Sequence, residues 1–216
     1  MLFENTSVYN VYNAILGARN PKNSWNKSDS VFKGYNGKIE NTVIGENDLK
    51  LLQSLIKAGS EHRKFMRQIG VSVIITAPLF WWKEFDTYKV GTVANSTSTM
   101  HKLASTPITI DCFEMDDFED CKDASNVYVS AIWIESITRL EKLRQTYNAT
   151  KDKRYWKELI RLLPESWLQK RTITMNYENI LNMYRQRKNH KLTEWSKSFC
   201  DWVKTLPYAE ELICLE

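Results

Sequence analysis

The chain carries seven glycines in 216 residues, at positions 17, 34, 37, 45, 59, 70 and 91. Average usage would give about 15. Neither a G-x-G-x-x-G turn nor a G-x-x-x-x-G-K-[ST] loop can be built from these positions, so a Rossmann dinucleotide fingerprint and a P-loop are excluded. Any nucleotide that this chain holds must be held by side chains rather than by glycine-backed backbone amides.

The other bounds follow from composition. A 43% hydrophobic content over this length supports one sizeable core, and the expectation is a single domain over residues 1–216. Thirty Lys and Arg against 26 Asp and Glu give a net charge of +4. That is too balanced to indicate a nucleic-acid polymer as partner, though it permits a local anion site. The longest nearly uncharged apolar run, Val71 to Trp82, falls short of the roughly 20 residues that span a bilayer. The N-terminus lacks the basic and apolar regions of a signal peptide, so no membrane is expected as partner. Cys112, Cys121, Cys200 and Cys214 form no C-x-x-C and the three histidines are scattered, so no metal site is expected. Reduced thiols in a cytoplasmic protein are the simplest reading. The Asn/Lys/Tyr-rich composition points to an AT-rich bacterial or phage genome.

Periodicity predicts a helix-rich α+β fold with a small, mostly antiparallel sheet. Residues 1–45 read as a strand or short helix followed by an ordered loop. A helix begins at Asp48 and stops at Gly59. Val71–Thr76 is β-branched and reads as a buried strand. Pro78 suits the first turn of a helix from Leu79 to about Phe85. Gly91–Thr99 and residues 105–122 read as loops. Helices are expected over Ala124–Tyr147, Lys151–Leu163, Asn176–Arg187 and Leu192–Leu206, with a junction over Trp167–Thr174.

Four places carry candidate chemistry. On the Asn176–Arg187 helix, Asn176, Ile180, Met183, Tyr184 and Arg187 share one largely apolar face. A guanidinium there needs a carboxylate, carbonyls or an anionic ligand. The alternative is a side chain lying along the surface with its charge at the helix C-terminus. Lys89 with Thr92, Asn95, Ser96, Thr97, Ser98 and Thr99 forms a hydroxyl-rich stretch that can donate to phosphate oxygens, or is an ordinary solvated loop. Trp81-Trp82 offers a stacking wall for a flat ring, or packs in the core. The acidic cluster Asp116, Asp117, Glu119 and Asp120 lacks calcium-loop spacing and reads as a solvated face.

The order of these elements resembles the flavin-dependent thymidylate synthase (ThyX) family. There, a strand ending in Ala-Pro leads into a helix and the signature R-H-R-x-x-S-x-N-E-x-S-x-R. Here Ala77-Pro78-Leu79-Phe80 leads to Thr87-Tyr88-Lys89-Val90-Gly91-Thr92-Val93-Ala94-Asn95-Ser96-Thr97-Ser98-Thr99. The family's Leu-Pro, Asn-x-Arg-x-x-x-Asn, Arg, His and Glu stand as Leu163-Pro164, Asn176-Tyr177-Glu178, Asn182, Arg187, His190 and Glu194. Ala18-Arg19 is similar to the family's early Ala-Arg.

The resemblance implies FAD, NADPH and methylenetetrahydrofolate as cofactors and dUMP as substrate, in a homotetramer that makes dTMP. It implies that Arg187 holds the pyrimidine ring. Lys89 with Thr97 or Ser98 would take the phosphate, with Glu84 and Thr99 also at the nucleotide. Asn176, Asn182 and His190 would contact flavin, with Tyr88 and Lys89 at the signature positions beside it. The departures are specific: Thr87, Glu178 and Thr99 replace arginines, Tyr88 replaces a histidine, and Lys89 conservatively replaces an arginine. Thr and Tyr cannot restore a guanidinium's charge. A related enzyme making another 5-substituted pyrimidine, and a non-catalytic nucleotide-binding or assembly protein on the same scaffold, therefore remain as alternatives.

Overall fold

The computed structural model of the chain describes residues 1–215. β1 (Leu2–Tyr9) leads into α1 (Val11–Arg19), and a hairpin of β2 (Val31–Asn36) and β3 (Ile39–Val43) follows. Next come α2 (Glu46–Lys57), β4 (Gly70–Pro78), α3 (Leu79–Phe85), β5 (Val93–Ser96) and α4 (Thr99–Lys102). α5 (Val129–Thr150), α6 (Lys153–Arg161), β6 (Leu168–Asn176), α7 (Tyr177–Arg187), α8 (Cys200–Lys204) and α9 (Ala209–Leu212) complete the order. The strands form one sheet in the order β2-β3-β1-β4-β6-β5. It is mixed: β1 runs parallel to β3, and β2 antiparallel to β3. This is the helix-rich α+β architecture expected. Among the described residues, no helix is long and apolar enough to cross a membrane.

The chain forms two compact units, with boundaries before β1, within β4, after α3, within β5 and within β6. The first comprises Met1, residues 76–85 and 96–171. Its α5–α6 pair closes over Leu103, Ile108, Phe113, Leu140 and Leu159, with Trp133 and Trp167 packed against them. Glu141 on α5 ties this unit together. It accepts both nitrogens of an Arg144 fork at 2.7 Å, the Ile108 N–H at 2.8 Å and the Gln145 amide at 2.9 Å. The Arg144 hydrogen bond first, then the Ile108 N–H and Gln145, hold its carboxyl down to about 2 from 4.5 against the cost of burial.

The folded chain therefore binds fewer protons at Glu141 than the unfolded chain does between these values. The stabilisation is complete above pH 4.5 and is lost as the pH falls through about 2. Glu141→Gln is expected to lower stability at pH 7 by about 2 kcal/mol, a figure discounted for the side chain's partial exposure. Urea titrations of both proteins across this window should show the difference vanishing toward the acid end. A difference that persists unchanged to low pH would reject the ionic account.

The second unit comprises residues 2–75, 86–95 and 172–216, of which 2–75, 86–95 and 172–215 are described. β4 fills its centre with Val71, Val73 and Ile75, all buried on alternate positions as a half-covered strand requires. Ile173, Met175, Ile180, Leu181, Met183, Trp195 and Phe199 are buried in the same unit. Its polar anchor is Asp48 on α2, which has no exposed surface. Asp48 accepts from Arg19 Nε at 2.5 Å, from the Ser28 and Ser30 hydroxyls at 2.6 Å each, and from the Asp29 and Ser30 N–H groups. The early Ala-Arg of the sequence thus ends α1 on a buried ion pair.

Several sequence boundaries move. The 124–147 and 151–163 helices begin later, at Val129 and Lys153. The junction at Trp167–Thr174 is the strand β6, in which Ile173 and Met175 are buried between exposed Thr172 and Thr174. The Gly91–Thr99 stretch contains the short β5, and the expected loop in 1–45 contains the β2–β3 hairpin. The 192–206 helix is not one α-helix: Glu194–Phe199 is π-helical and α8 follows. The four cysteines are free thiols.

Candidate functional site

The helix α7 is fixed at its start by a reciprocal capping box. The Asn176 side chain accepts the Asn179 N–H at 3.0 Å, and the Asn179 side chain accepts the Asn176 N–H at 3.1 Å. Two orphan helix donors are satisfied in this way. Asn179 Nδ2 then donates to the Val90 carbonyl at 2.7 Å, and the Thr92 hydroxyl donates to the Tyr88 carbonyl at 2.6 Å. Gly91 sits against this cap at φ +79°, where an added Cβ would lie 3.0 Å from Asn179 Oδ1 and 3.2 Å from Asn176 Nδ2. The 88–92 turn is thereby seated on the head of α7, and a glycine is required at its tightest point.

At the tail of α7, Arg187 Nε donates to the Tyr88 phenolic oxygen at 2.9 Å. Tyr88 donates in turn to Gln186 Oε1 at 3.0 Å. The Arg187 guanidinium carbon lies 4.9 Å from the centre of the Trp195 ring and 5.6 Å from that of Tyr88. The two rings meet edge-on with centroids 6.2 Å apart. Trp195 is fully buried and belongs to the π-helical turn, a feature that concentrates at functional sites. The cation is thus set against two π faces that favour it and oriented by a phenol. Arg187 does not simply trail along the helix surface. Tyr88, at the signature's histidine position, is the residue that aims it.

The neighbouring positions are arranged as follows. The His190 N–H donates to the Arg187 carbonyl at 3.0 Å, and its Nδ1 accepts the Leu192 N–H at 3.2 Å. Lys89, beside Tyr88, is exposed. Glu178 is buried and forms ion pairs with Arg63, at 2.9 Å, and Arg67. Burial pushes the Glu178 carboxyl up, but the hydrogen bonds and charges of Arg67 and Arg63 outweigh that and lower it. Arg63 also donates to Asn182 Oδ1 at 3.2 Å. Sequence reasoning missed Arg63 and Arg67. The signal was the acid at 178 itself, since a buried carboxylate on a helix requires cationic partners.

The remaining sequence candidates lie in the first unit. The Thr97 N–H donates to the Lys170 carbonyl at 2.9 Å, and its own carbonyl accepts the Gln169 amide at 2.9 Å. Gln169 also reaches the Thr99 hydroxyl at 3.4 Å. Ser98 is the N-cap of α4, its hydroxyl accepting the His101 N–H at 3.2 Å. Glu84 is half-buried on α3. Trp81 and Trp82 both have no exposed surface, which removes the stacking-wall reading: both pack in the core. The Trp82 indole donates to the Gln169 carbonyl at 3.0 Å, and Arg171 lies over its ring at 4.2 Å. In the acidic cluster, Asp120 accepts from the Ser130 N–H and hydroxyl at the start of α5.

No protein-family profile and no curated protein matches the sequence. Solved structures do match the fold. The flavin-dependent thymidylate synthase ThyX from Helicobacter pylori, in complex with FAD and dUMP, superposes with a TM-score of 0.69 over 100% of both chains at 17% identity. A second structure of Helicobacter pylori ThyX with FAD and dUMP gives 0.69 over 97% of each chain at 15% identity. The chain has the ThyX fold.

Proposed function

We propose that this chain is a ThyX-type flavoenzyme that methylates dUMP to dTMP, organised as one ThyX-like domain over 1–216 and assembling as a homotetramer. The observation that carries the proposal is the Tyr88–Arg187–Trp195 arrangement at the tail of α7. A planar guanidinium fork set against two rings and bonded to a phenol is held in a fixed plane. Such a fork suits the carbonyl oxygens of a pyrimidine ring, and Arg187 is assigned to them.

The residues assigned to FAD offer matching chemistry. Asn176 Oδ1 is engaged by the helix cap and Asn182 Oδ1 by Arg63, so each would meet a ligand through its amide N–H groups rather than its oxygen. Donors are what the acceptor-rich edge of a flavin requires. The acid at 178 removes a cation that the resemblance would place there, and Arg63 and Arg67 put two guanidinia beside it. FAD would supply the hydride relay from NADPH, and methylenetetrahydrofolate the one-carbon unit, with Asn176, Asn182, His190 and Tyr88 holding the flavin in place. Lys89, Thr97, Ser98, Thr99 and Glu84 are assigned to the nucleotide, with Lys89 as the cation for phosphate and Thr97 or Ser98 as the hydroxyl donor.

The signature's own substitutions favour a second reading, a nucleotide-binding protein without turnover. Thr97, Ser98 and Thr99 carry no charge, and Thr99 stands where the signature would supply a guanidinium. Purified protein should show flavin absorbance, gain thermal stability from dUMP, and form dTMP when the reductant and folate are added. Colourless protein that gains no stability from FAD or dUMP would sink both readings. Stabilisation by dUMP without product selects the second, and turnover of dUMP to a product other than dTMP selects a related pyrimidine-modifying enzyme.

A further inference from the structure

The structure assigns a second binding site, for a quaternary ammonium group, to the aromatic cavity at the head of α1. This cavity has a volume of about 380 Å³ and is lined by Tyr9, Asn10, Tyr12, Asn13, Phe32, Tyr35 and Glu40. The sequence reading gave these residues no role, and none of them belongs to the flavin or nucleotide assignment.

A local irregularity builds the wall. In the β2–β3 pairing, Phe32 faces Thr42 and Tyr35 faces Glu40, with a one-residue shift between them. A bulge of this kind lets residues three apart share a face, and Gly34 absorbs it at φ +93°. Phe32 and Tyr35 then meet edge-on at 6.0 Å, and Phe32 meets Tyr12 at 6.1 Å. Tyr35 is 59% and Phe32 46% exposed, so the rings face solvent rather than the core. Asn10, between β1 and α1, is held in the left-handed region at φ 68°, which turns the chain sharply at the rim. Tyr9 is wedged against Gly70, where an added Cβ would come within 2.2 Å of its ring.

Glu40 selects the ligand. It is 4% exposed, and it is the one charged residue among the described lining. Its Oε1 accepts the Tyr12 N–H at 2.8 Å and the Thr42 hydroxyl at 2.5 Å, and its Oε2 accepts the Val11 N–H at 3.0 Å. About three of its four lone-pair sites are therefore filled. The carboxylate contributes a fixed negative potential with little remaining capacity to accept hydrogen bonds. A primary ammonium or a guanidinium entering here would find little of the carboxylate's accepting capacity left for its N–H groups. A quaternary ammonium has none to satisfy, and its diffuse charge suits aromatic faces. Choline-like small molecules and the trimethyl-lysine side chain of a protein share this chemistry.

The test uses the full chain at constant ionic strength, with ligand-observed NMR and thermal shift as readouts. Tetramethylammonium, choline and a trimethyl-lysine peptide are titrated against ammonium and the uncharged carbon isostere of choline, in which a tert-butyl group replaces trimethylammonium. Saturable binding of tetramethylammonium, with the isostere about tenfold weaker, is expected. Tyr35→Ala should weaken it about fivefold, and this exposed position leaves the fold intact. Glu40→Gln should weaken it further, and should leave binding of the uncharged isostere unchanged if the protein folds. Tighter binding of choline or of the peptide identifies which source the site serves. Absence of saturable binding, equal affinity for the uncharged isostere, or indifference to Tyr35→Ala would overturn the assignment.

Discussion

Asp48→Ala is expected to remove about 3–5 kcal/mol of stability, the cost of breaking a buried ion pair from its more connected side. Asp48 has no exposed surface and collects five hydrogen bonds from Arg19, Ser28, Asp29 and Ser30. Its loss leaves Arg19, itself 5% exposed, as a buried uncompensated cation, and strands two backbone N–H groups. Against a total stability of about 5–15 kcal/mol, such a change brings the chain near unfolding at ordinary temperature. Arg19→Ala should cost less, about 2 kcal/mol, because the carboxylate keeps its two hydroxyl and two backbone donors. Burial pushes the Asp48 carboxyl up, but Ser28, Ser30 and Arg19 outweigh that and hold it below its ordinary value. Its contribution is therefore complete above the normal aspartate range and fades as the pH falls through the folded value. Urea midpoints for wild type, Asp48→Ala and Arg19→Ala check the order. Equal losses for the two variants would reject the carboxylate as the centre of the network.

What the sequence revealed follows from what is local. The Val71–Thr76 strand and the aromatic helix from Leu79 were legible because a β-branched run and a proline act on their own neighbours, although Pro78 itself closes β4 rather than opening the helix. The helix ending in Arg187 was legible because its apolar face repeats at helical spacing. The β2–β3 hairpin was missed although its two-residue turn, Gly37-Lys38, begins with a glycine at φ +63°. β2 is largely exposed and the buried positions of β3 are the polar Glu40 and Thr42, so neither strand shows the apolar alternation that marks a half-buried strand. β6 was missed for a similar reason: Gln169, Lys170 and Arg171 mask the Ile173 and Met175 positions that face the core. The π-helical turn at Glu194–Phe199 has no sequence period of its own.

The candidate site divides along the same line. Arg187, Asn176 and Tyr88 could be named because a motif order places them. What each of them touches could not be read, since Tyr88 and Arg187 stand 99 positions apart and Arg63 and Glu178 stand 115 apart. Glu178 read as a lost arginine, and the folded chain makes it the organiser of two others. Thr97 and Ser98 read as hydroxyl donors, and the cap in which Ser98 accepts the His101 N–H could not be read from the sequence.

Arg187→Ala is expected to weaken dUMP binding at least about 100-fold, read as loss of dUMP-dependent thermal stabilisation, while the unliganded protein melts within a few degrees of wild type. The small cost to the fold follows from the position: Arg187 is half-buried on the last turn of α7, and Trp195 stays packed without it. The large cost to binding follows from geometry, because the Tyr88 and Trp195 rings fix the plane of the Arg187 guanidinium. Arg187→Lys separates charge from shape. A lysine keeps the cation but loses the planar fork and most of the stacking, so affinity should fall about tenfold. Tyr88→Phe removes the phenolic oxygen that receives Arg187 Nε and keeps the ring, so a loss of about threefold to fivefold is expected from a less fixed fork. A series of decreasing affinity through Tyr88→Phe, Arg187→Lys and Arg187→Ala is what an oriented guanidinium predicts. If Arg187→Lys binds as wild type does, only the charge matters and the aromatic clamp is a packing feature. If Arg187→Ala binds dUMP as tightly as wild type, the nucleotide lies elsewhere.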